Sequence, residues 1–283
     1  MTTLFVNRLT VMDLSYLDPE RGLLGESWMV DVELDGSLDH QGMVLDFAKV
    51  KKQVKQTIDL HFDHKLLVPA AYEGCRVSVQ EHRSEVLFRL TSGAEIRHSA
   101  PLSAVTTLDV ERIDENSLSK AIIDTLRPQL PDNVMGIRIR LHTESIEGAH
   151  YQYSHGLKHH DGNCQRIAHG HRSRIVIERN GVRDLELEKQ WADRWHDAYI
   201  ATRGDLLESF EKDGTAFHRF GYTANQGLFE LELPRASCHI IDSDSTVENI
   251  AQYLADRLKQ EHPEESFRVY AFEGVDKGAV GVA

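Results

Sequence analysis

Cysteine is scarce in this chain. Three residues, Cys75, Cys164 and Cys238, make an odd and sparse set in 283 positions, which fits a reducing compartment rather than a disulfide framework. Long apolar runs are missing as well. No stretch approaches the length that crosses a bilayer, and the amino-terminal MTTLFVNRLTVMDLS lacks a basic region followed by an apolar core, so no secretory signal is expected. Basic residues are outnumbered by acidic ones, and the net charge of −13 argues against a general nucleic-acid binder and against an anionic membrane surface. It leaves room for a local basic pocket. No low-complexity linker interrupts the chain. A cytoplasmic globular protein is the expectation, and a hydrophobic fraction of 41% gives it ample core.

What the chain does have is histidine, concentrated in HYQYSHGLKHHDGNCQRIAHGHRSR from His150 to Arg174. This stretch runs directly into the apolar alternation Ile175-Val176-Ile177. In an extended strand, residues i and i+2 share a face, so His169 and His171 aim two imidazoles at one spot while Gly170 keeps the opposite face clear. A third imidazole from a neighbouring strand would complete a three-nitrogen site with one open position, the layout of a catalytic zinc. His155 is the candidate. His159 and His160 read instead as residues of a solvated loop.

Along the chain, strands are expected at Thr3–Val11 and Trp28–Leu34. Asp46, in GMVLDF at Gly42–Phe47, is placed to cap a helix with Phe47, Val50, Val54 and Ile58 on one face. That helix runs out near Leu60, before Asp63-His64. A hairpin fits Cys75–Leu90, a helix Ser117–Leu130 and a strand Gly136–Leu141. The order then begins again. Strands fit Ala149–His155 and Arg172–Ile177, a long helical region covers Leu185–Phe210, and a hairpin lies around His218–Leu233. A helix starts at Ser245, and FRVYAF closes the series. Trp191, Trp195 and Tyr199 read as core at helical spacing. LGESWMVDVELDG at Leu24–Gly36 parallels HGHRSRIVIERNG at His169–Gly181, and Ser117–Leu141 parallels Thr246–Phe272. These parallels point to an internal duplication with a boundary near residue 148, giving halves 1–148 and 149–283.

The residues resemble the 6-pyruvoyl-tetrahydropterin synthase and 6-carboxytetrahydropterin synthase family. The motifs that carry the resemblance are His155, Cys164, His169-Gly170-His171, Gly42–Phe47, Asp63-His64, Thr246–Asn249, and a terminal glutamate, Glu273 or Glu144. The likeness spans most of the chain only when both halves are read together. Leu24-Gly25-Glu26 stands where the first half should carry its own His-Gly-His, and no cysteine precedes it. The second half has neither a GMVxDF counterpart nor an Asp-His after its helix. Each half thus lacks what the other keeps, which suits one composite site divided between them.

The resemblance implies an α+β tunnelling fold in tandem, with antiparallel sheet and paired helices on one side, closing into barrels as a homo-oligomer. It implies zinc (Zn2+) on His155, His169 and His171, with 7,8-dihydroneopterin triphosphate or a close relative as the small-molecule pterin substrate. Cys164 would be the general base, His64 the proton exchanger, and Asp63 the group fixing its tautomer. Glu273, Glu248 or Glu144 would anchor the pterin. Plainer readings stand beside these. Cys164 could be a small buried residue, Asp63-His64 a helix-end charge arrangement, and Glu248 part of a Ser245–Glu248 capping box. A zinc-stabilised protein without activity, or an enzyme with a different pterin substrate, is the rival to a 6-pyruvoyl- or 6-carboxy-pterin-forming lyase.

Overall fold

Alternating apolar residues in the first 36 positions build one long hairpin, β1 (Thr2–Asp18) against β2 (Gly22–Gly36). Both strands exceed the lengths read from alternation, because Met12 to Leu17 and Leu23 to Ser27 are buried on both faces and lose the polar–apolar beat. The structure, a computed structural model, describes residues 1–283. After the hairpin come α1 (Phe47–His61), β3 (Leu66–Pro69), β4 (Cys75–Gln80), β5 (Arg83–Arg89), β6 (Glu95–Pro101), β7 (Val105–Leu108), α2 (Glu115–Leu126) and β8 (Val134–His142).

A second set repeats the order. It comprises β9 (His150–His155), β10 (His169–Arg179), the short β11 (Val182–Arg183), α3 (Leu185–Arg194), β12 (Ala198–Thr202), β13 (Leu206–Lys212), β14 (Thr215–Ala224), β15 (Gly227–Pro234), β16 (Cys238–Ile241), α4 (Val247–Glu261), β17 (Phe267–Phe272) and β18 (Gly278–Val282). Only β11 and β18 lack a counterpart. The sheets match strand for strand, β7-β3-β1-β2-β8 in one and β16-β12-β9-β10-β17-β18 in the other. The two remaining three-stranded meanders join through β6 and β15 into a third sheet, β13-β14-β15-β6-β5-β4.

Each half packs its helices on its own sheet. Val50, Val54 and Ile58 of α1 and Leu118, Ile122 and Leu126 of α2 close over Val30, Val32 and Ile139. Leu187, Trp191, Ile250 and Leu254 do the same over Ile175, Ile177 and Val269. A third core belongs to both halves, where Leu17, Leu66 and Phe88 meet Ile167, Tyr199 and Phe229. Each fully buried aliphatic or aromatic side chain contributes about 1.5–3 kcal/mol by leaving water. No helix is long and apolar enough to cross a membrane.

Four local expectations are corrected. The helical region expected over Leu185–Phe210 is a helix only to Arg194, after which Asp197 turns the backbone at φ 56° and β12 and β13 follow. Trp191, Trp195 and Tyr199 are all core, but Tyr199 reaches it from a strand. Phe47 does not share the buried face of α1 and is exposed. The residue capping α4 is Thr246, whose side chain accepts from the Asn249 N–H. Glu248 is therefore the second helical residue and closes no capping box.

Candidate metal centre and active site

The β9–β10 ladder sets His169 directly opposite His155, with Tyr153 opposite His171. Because side chains alternate, the three histidines share one face, and their ring centroids lie 4.4, 5.3 and 5.8 Å apart. One ring nitrogen from each falls within 4.8 Å of the others. Nδ1 of His155 is 2.9 Å from the Ser245 carbonyl oxygen, and Nδ1 of His169 is 2.9 Å from that of Arg166. A carbonyl only accepts, so both Nδ1 atoms donate and both Nε2 lone pairs are left free.

Those lone pairs go unused within the chain. Nε2 of His155, His169 and His171 are all buried without a hydrogen-bond partner. Buried polar atoms are rarely left so, and here three belong to one cluster of histidines. Burial, reinforced by the neighbouring imidazoles, pushes His155 and His169 well below the usual histidine range, so both rings are neutral, the form that binds metal. The donor set fits a zinc ion with an open position.

Beside this cluster stands a second one. His64 stacks on His169 with centroids 5.2 Å apart. Its Nδ1 lies 2.6 Å from Asp63 Oδ2. The Cys164 sulfur, a ring nitrogen of His64 and a ring nitrogen of His169 all lie within 4.8 Å of one another. His64 comes from the first half and Cys164 from the second, and they meet inside one chain. Burial opposes a charge on His64, yet its hydrogen bonds with Asp63 and Cys164 outweigh that and push it up to about 10.

Local folding explains both placements. Asp46 caps α1 by accepting from the Ala48 and Lys49 N–H groups, and the helix stops at Phe62, whose N–H returns to Ile58. His64 then takes a left-handed φ of 52°, a region that bulky residues seldom occupy outside constrained sites. Cys164 sits in a 3-10 turn, Gly162–Gln165, held down by Gln226 bonding to Asn163 and by Tyr222 bonding to the Gln165 carbonyl.

The three glutamates part company. Glu273 Oε1 is 3.8 Å from His171 Nε2. Glu144 lies on the opposite face of β10, beside Arg174 at 3.4 Å and with its carbonyl held by Arg172. Glu248 is exposed in the first turn of α4. His159 and His160 are exposed, and His159 pairs with Asp244. Sequence reading missed four contributors: Asp13, Tyr153, Ser245 and Arg166. Asp13 left a trace, a lone acid in the apolar strand run LTVMDLSY. Tyr153 alternates with His155 and so shares its face. Ser245 and Arg166 each offer a backbone carbonyl to a histidine Nδ1, a contact that no residue type signals. Their side chains add Ser245 Oγ at 3.2 Å from His155 Nδ1 and an Arg166 bond to the His64 carbonyl.

The family model for 6-pyruvoyl tetrahydropterin synthase matches the chain twice, over residues 11–152 and 145–279. The chain belongs to this family, and its fold is the α+β tunnelling fold in tandem. A Pyrococcus abyssi protein described as a putative 6-carboxy-5,6,7,8-tetrahydropterin synthase is 25% identical over 133 residues, 46% of this chain and 74% of that protein. Solved 6-pyruvoyl tetrahydropterin synthases from Plasmodium falciparum and Plasmodium vivax are 16% and 15% identical, with TM-scores of 0.41 and 0.43. The first covers 50% of this chain and 90% of its own, the second 52% and 93%. Family membership supports a pterin synthase activity.

Proposed function

We propose that the chain is a zinc-dependent carbon–oxygen lyase acting on 7,8-dihydroneopterin triphosphate. It eliminates triphosphate and then either rearranges the three-carbon side chain to a 6-pyruvoyl group or, with water added, cleaves it to a 6-carboxy group and releases the two outer carbons as an aldehyde. The observation that carries this reading is a buried trio of histidines, each with an unpartnered Nε2 and with one ring nitrogen from each within 4.8 Å of the others, beside the Cys164–His64–Asp63 cluster. Zinc held by His155, His169 and His171 supplies a Lewis acid for the substrate's side-chain hydroxyls.

The remaining work falls to the chain. Cys164, as thiolate, removes the carbon-bound side-chain proton. His64, charged by its pairing with Asp63, favours that anion and exchanges the proton. Asp63 Oδ2 accepts from the His64 Nδ1–H, which fixes the orientation of the ring beside the Cys164 sulfur. Glu273 is the pterin anchor, because a carboxylate accepts two bonds from the ring N–H and the amino group and only this glutamate stands at the histidine cluster. Tyr153, wholly buried between His155 and His171, walls the site from water.

A homo-oligomer belongs to the same reading. The outer edge of β8 is unpaired, whereas its counterpart β17 is covered by β18, and an open edge calls for a partner strand. Three free cysteines suit the cytoplasm.

The deciding experiment incubates zinc-loaded protein with 7,8-dihydroneopterin triphosphate and follows triphosphate release and product mass. Turnover is expected, and Cys164→Ala should abolish it while zinc stays bound. Undiminished turnover in Cys164→Ala removes the proposed base. Zinc retention with no turnover of any pterin by the parent protein leaves the structural-zinc reading in its place.

A further inference from the structure

Among the acids that none of these roles uses, one is almost wholly enclosed and touches both clusters. Asp13 lies on β1 with a side chain only 5% exposed, and its Oδ1 is 3.2 Å from Nδ1 of His171, itself 1% exposed. The approach is close but oblique, so a small rotation of the imidazole completes it. Ser27 Oγ donates to the same oxygen at 2.5 Å, and Lys277 Nζ donates to Oδ2 at 3.1 Å. Gly274 makes room for this carboxylate. It turns at φ 73°, and a Cβ there would come within 2.6 Å of Asp13 Oδ1.

The backbone of Asp13 reaches the other cluster. Its N–H donates to Asp63 Oδ1 at 2.8 Å, and its carbonyl accepts from the His64 N–H at 2.7 Å. One residue of the first half is thus bonded to both members of the Asp63–His64 pair and faces the third histidine of the second half. The duplication gives an independent sign that this reach is built in. By sheet register, Asp13 pairs with Ser27 as Gln152 pairs with Arg172, so Asp13 and Gln152 are equivalent, as are Glu26 and His171. Gln152 also reaches across the halves, donating from Nε2 to Glu26 Oε2 at 2.7 Å.

We infer that Asp13 is a positioning residue: it holds Nδ1 of His171 so that Nε2 converges with those of His155 and His169, and ties that ring to Asp63–His64. The first half supplies the outer carboxylate of a metal centre whose ligands all come from the second. Such outer partners set ligand orientation and basicity, and losing one typically weakens metal binding about 10–100-fold. The inference rests on the metal reading proposed above.

The test measures zinc affinity by competition with a chelator, and the visible absorption of the protein loaded with cobalt(II) alone, for the parent, Asp13→Asn, Asp13→Ala and Lys277→Met. Expected are a loss of zinc affinity of about one to two orders of magnitude in the Asp13 variants, an altered cobalt spectrum and a smaller loss in Lys277→Met. A purely structural role would lower the melting temperature and leave the cobalt spectrum unchanged. Parent-like affinity and spectrum in Asp13→Asn overturn the inference while the metal reading stands. If Asp13 variants fail to fold, Lys277→Met decides, with parent-like affinity and spectrum again overturning it. A parent protein that binds neither metal overturns both readings.

Discussion

Ser15 Oγ and Ser154 Oγ lie 2.7 Å apart in the buried centre of the molecule. They are the same residue of the two repeats, since Ser15 pairs with Gly25 as Ser154 pairs with Gly170. The bond therefore marks a local two-fold axis between the repeats. The register places Tyr16, Leu24 and Glu26 where the other side has His155, His169 and His171. The strand pairs Ser15–Leu66 and Ser154–Tyr199 place His196-Asp197 where the first half has Asp63-His64, in reverse order. Asp197, which shares the left-handed turn of His64, is ion-paired to Arg21 at 2.6 Å.

One metal per chain follows. Leu24 offers no donor atom, and Glu26 is occupied by Gln152 and the Ser27 N–H, so the mate position cannot assemble three nitrogens. Elemental analysis of protein grown with ample zinc should give one equivalent per chain, lost in His169→Ala. Two equivalents would contradict the asymmetry.

The close approach at the axis sets a steric prediction. A Cβ on Gly170 would overlap the Tyr153 carbonyl and come within 2.6 Å of the Gly25 Cα, and backbone on both sides cannot yield. Gly170→Ala should cost roughly 3 kcal/mol or more, read as a lowered melting temperature or loss of soluble protein. Gly204→Ala, where a Cβ meets nothing within 4 Å, should change stability by under about 0.5 kcal/mol.

Glu26 carries a pH prediction. Its burial, resisted by the Ser27 N–H and the Arg172 charge, pushes it up to about 7 from an ordinary 4.5. A carboxyl raised on folding keeps its proton longer in the folded state, so stability is fully present below about 4.5 and falls as pH rises through about 7. Chemical denaturation between pH 4 and 8 should show that decline in the parent protein and a flatter profile in Glu26→Gln. Equal slopes in the two would contradict the assignment.

How much of this was legible in the sequence depends on where each signal lives. The His-Gly-His at the start of β10, its partner His155 and the cap at Asp46 are local, because period-2 alternation and helix capping act within a few residues. The repeat was legible from the thirteen-residue segments Leu24–Gly36 and His169–Gly181, which share a pattern although β2 and β10 end differently, with Asp35-Gly36 inside β2 and Asn180-Gly181 in a turn after β10. The end of α3 was not, since Trp191, Trp195 and Tyr199 keep helical spacing across a turn made by Asp197 at positive φ. Copying the end of α1 onto α3 places His196-Asp197 against Asp63-His64 and gives that stop. Asp13 and the sorting of Glu273 from Glu144 depend on cross-half contacts and on a one-residue register. Extending the two registers makes Glu144 the counterpart of Gly274 in the repeat, not of Glu273, and one residue is enough to send a strand-end side chain to the other face.

The motif GMVLDF supplies the last prediction. Its aspartate, Asp46, lies far along the chain from Cys164 and does local work: Oδ1 accepts from Ala48 N–H at 2.8 Å and Lys49 N–H at 3.2 Å. The first turn of α1 holds no other acid to offset its unpaired N–H groups. Asp46→Ala should therefore cost about 1 kcal/mol, while Asp46→Ser should recover most of that. Since α1 leads directly into Asp63-His64, fraying at its start is the route by which a remote change could reach the site. A melting temperature lowered with kcat unchanged would show that the cap serves the helix alone. A fall in kcat at a temperature where Asp46→Ala is fully folded would show that the helix start also sets the position of His64.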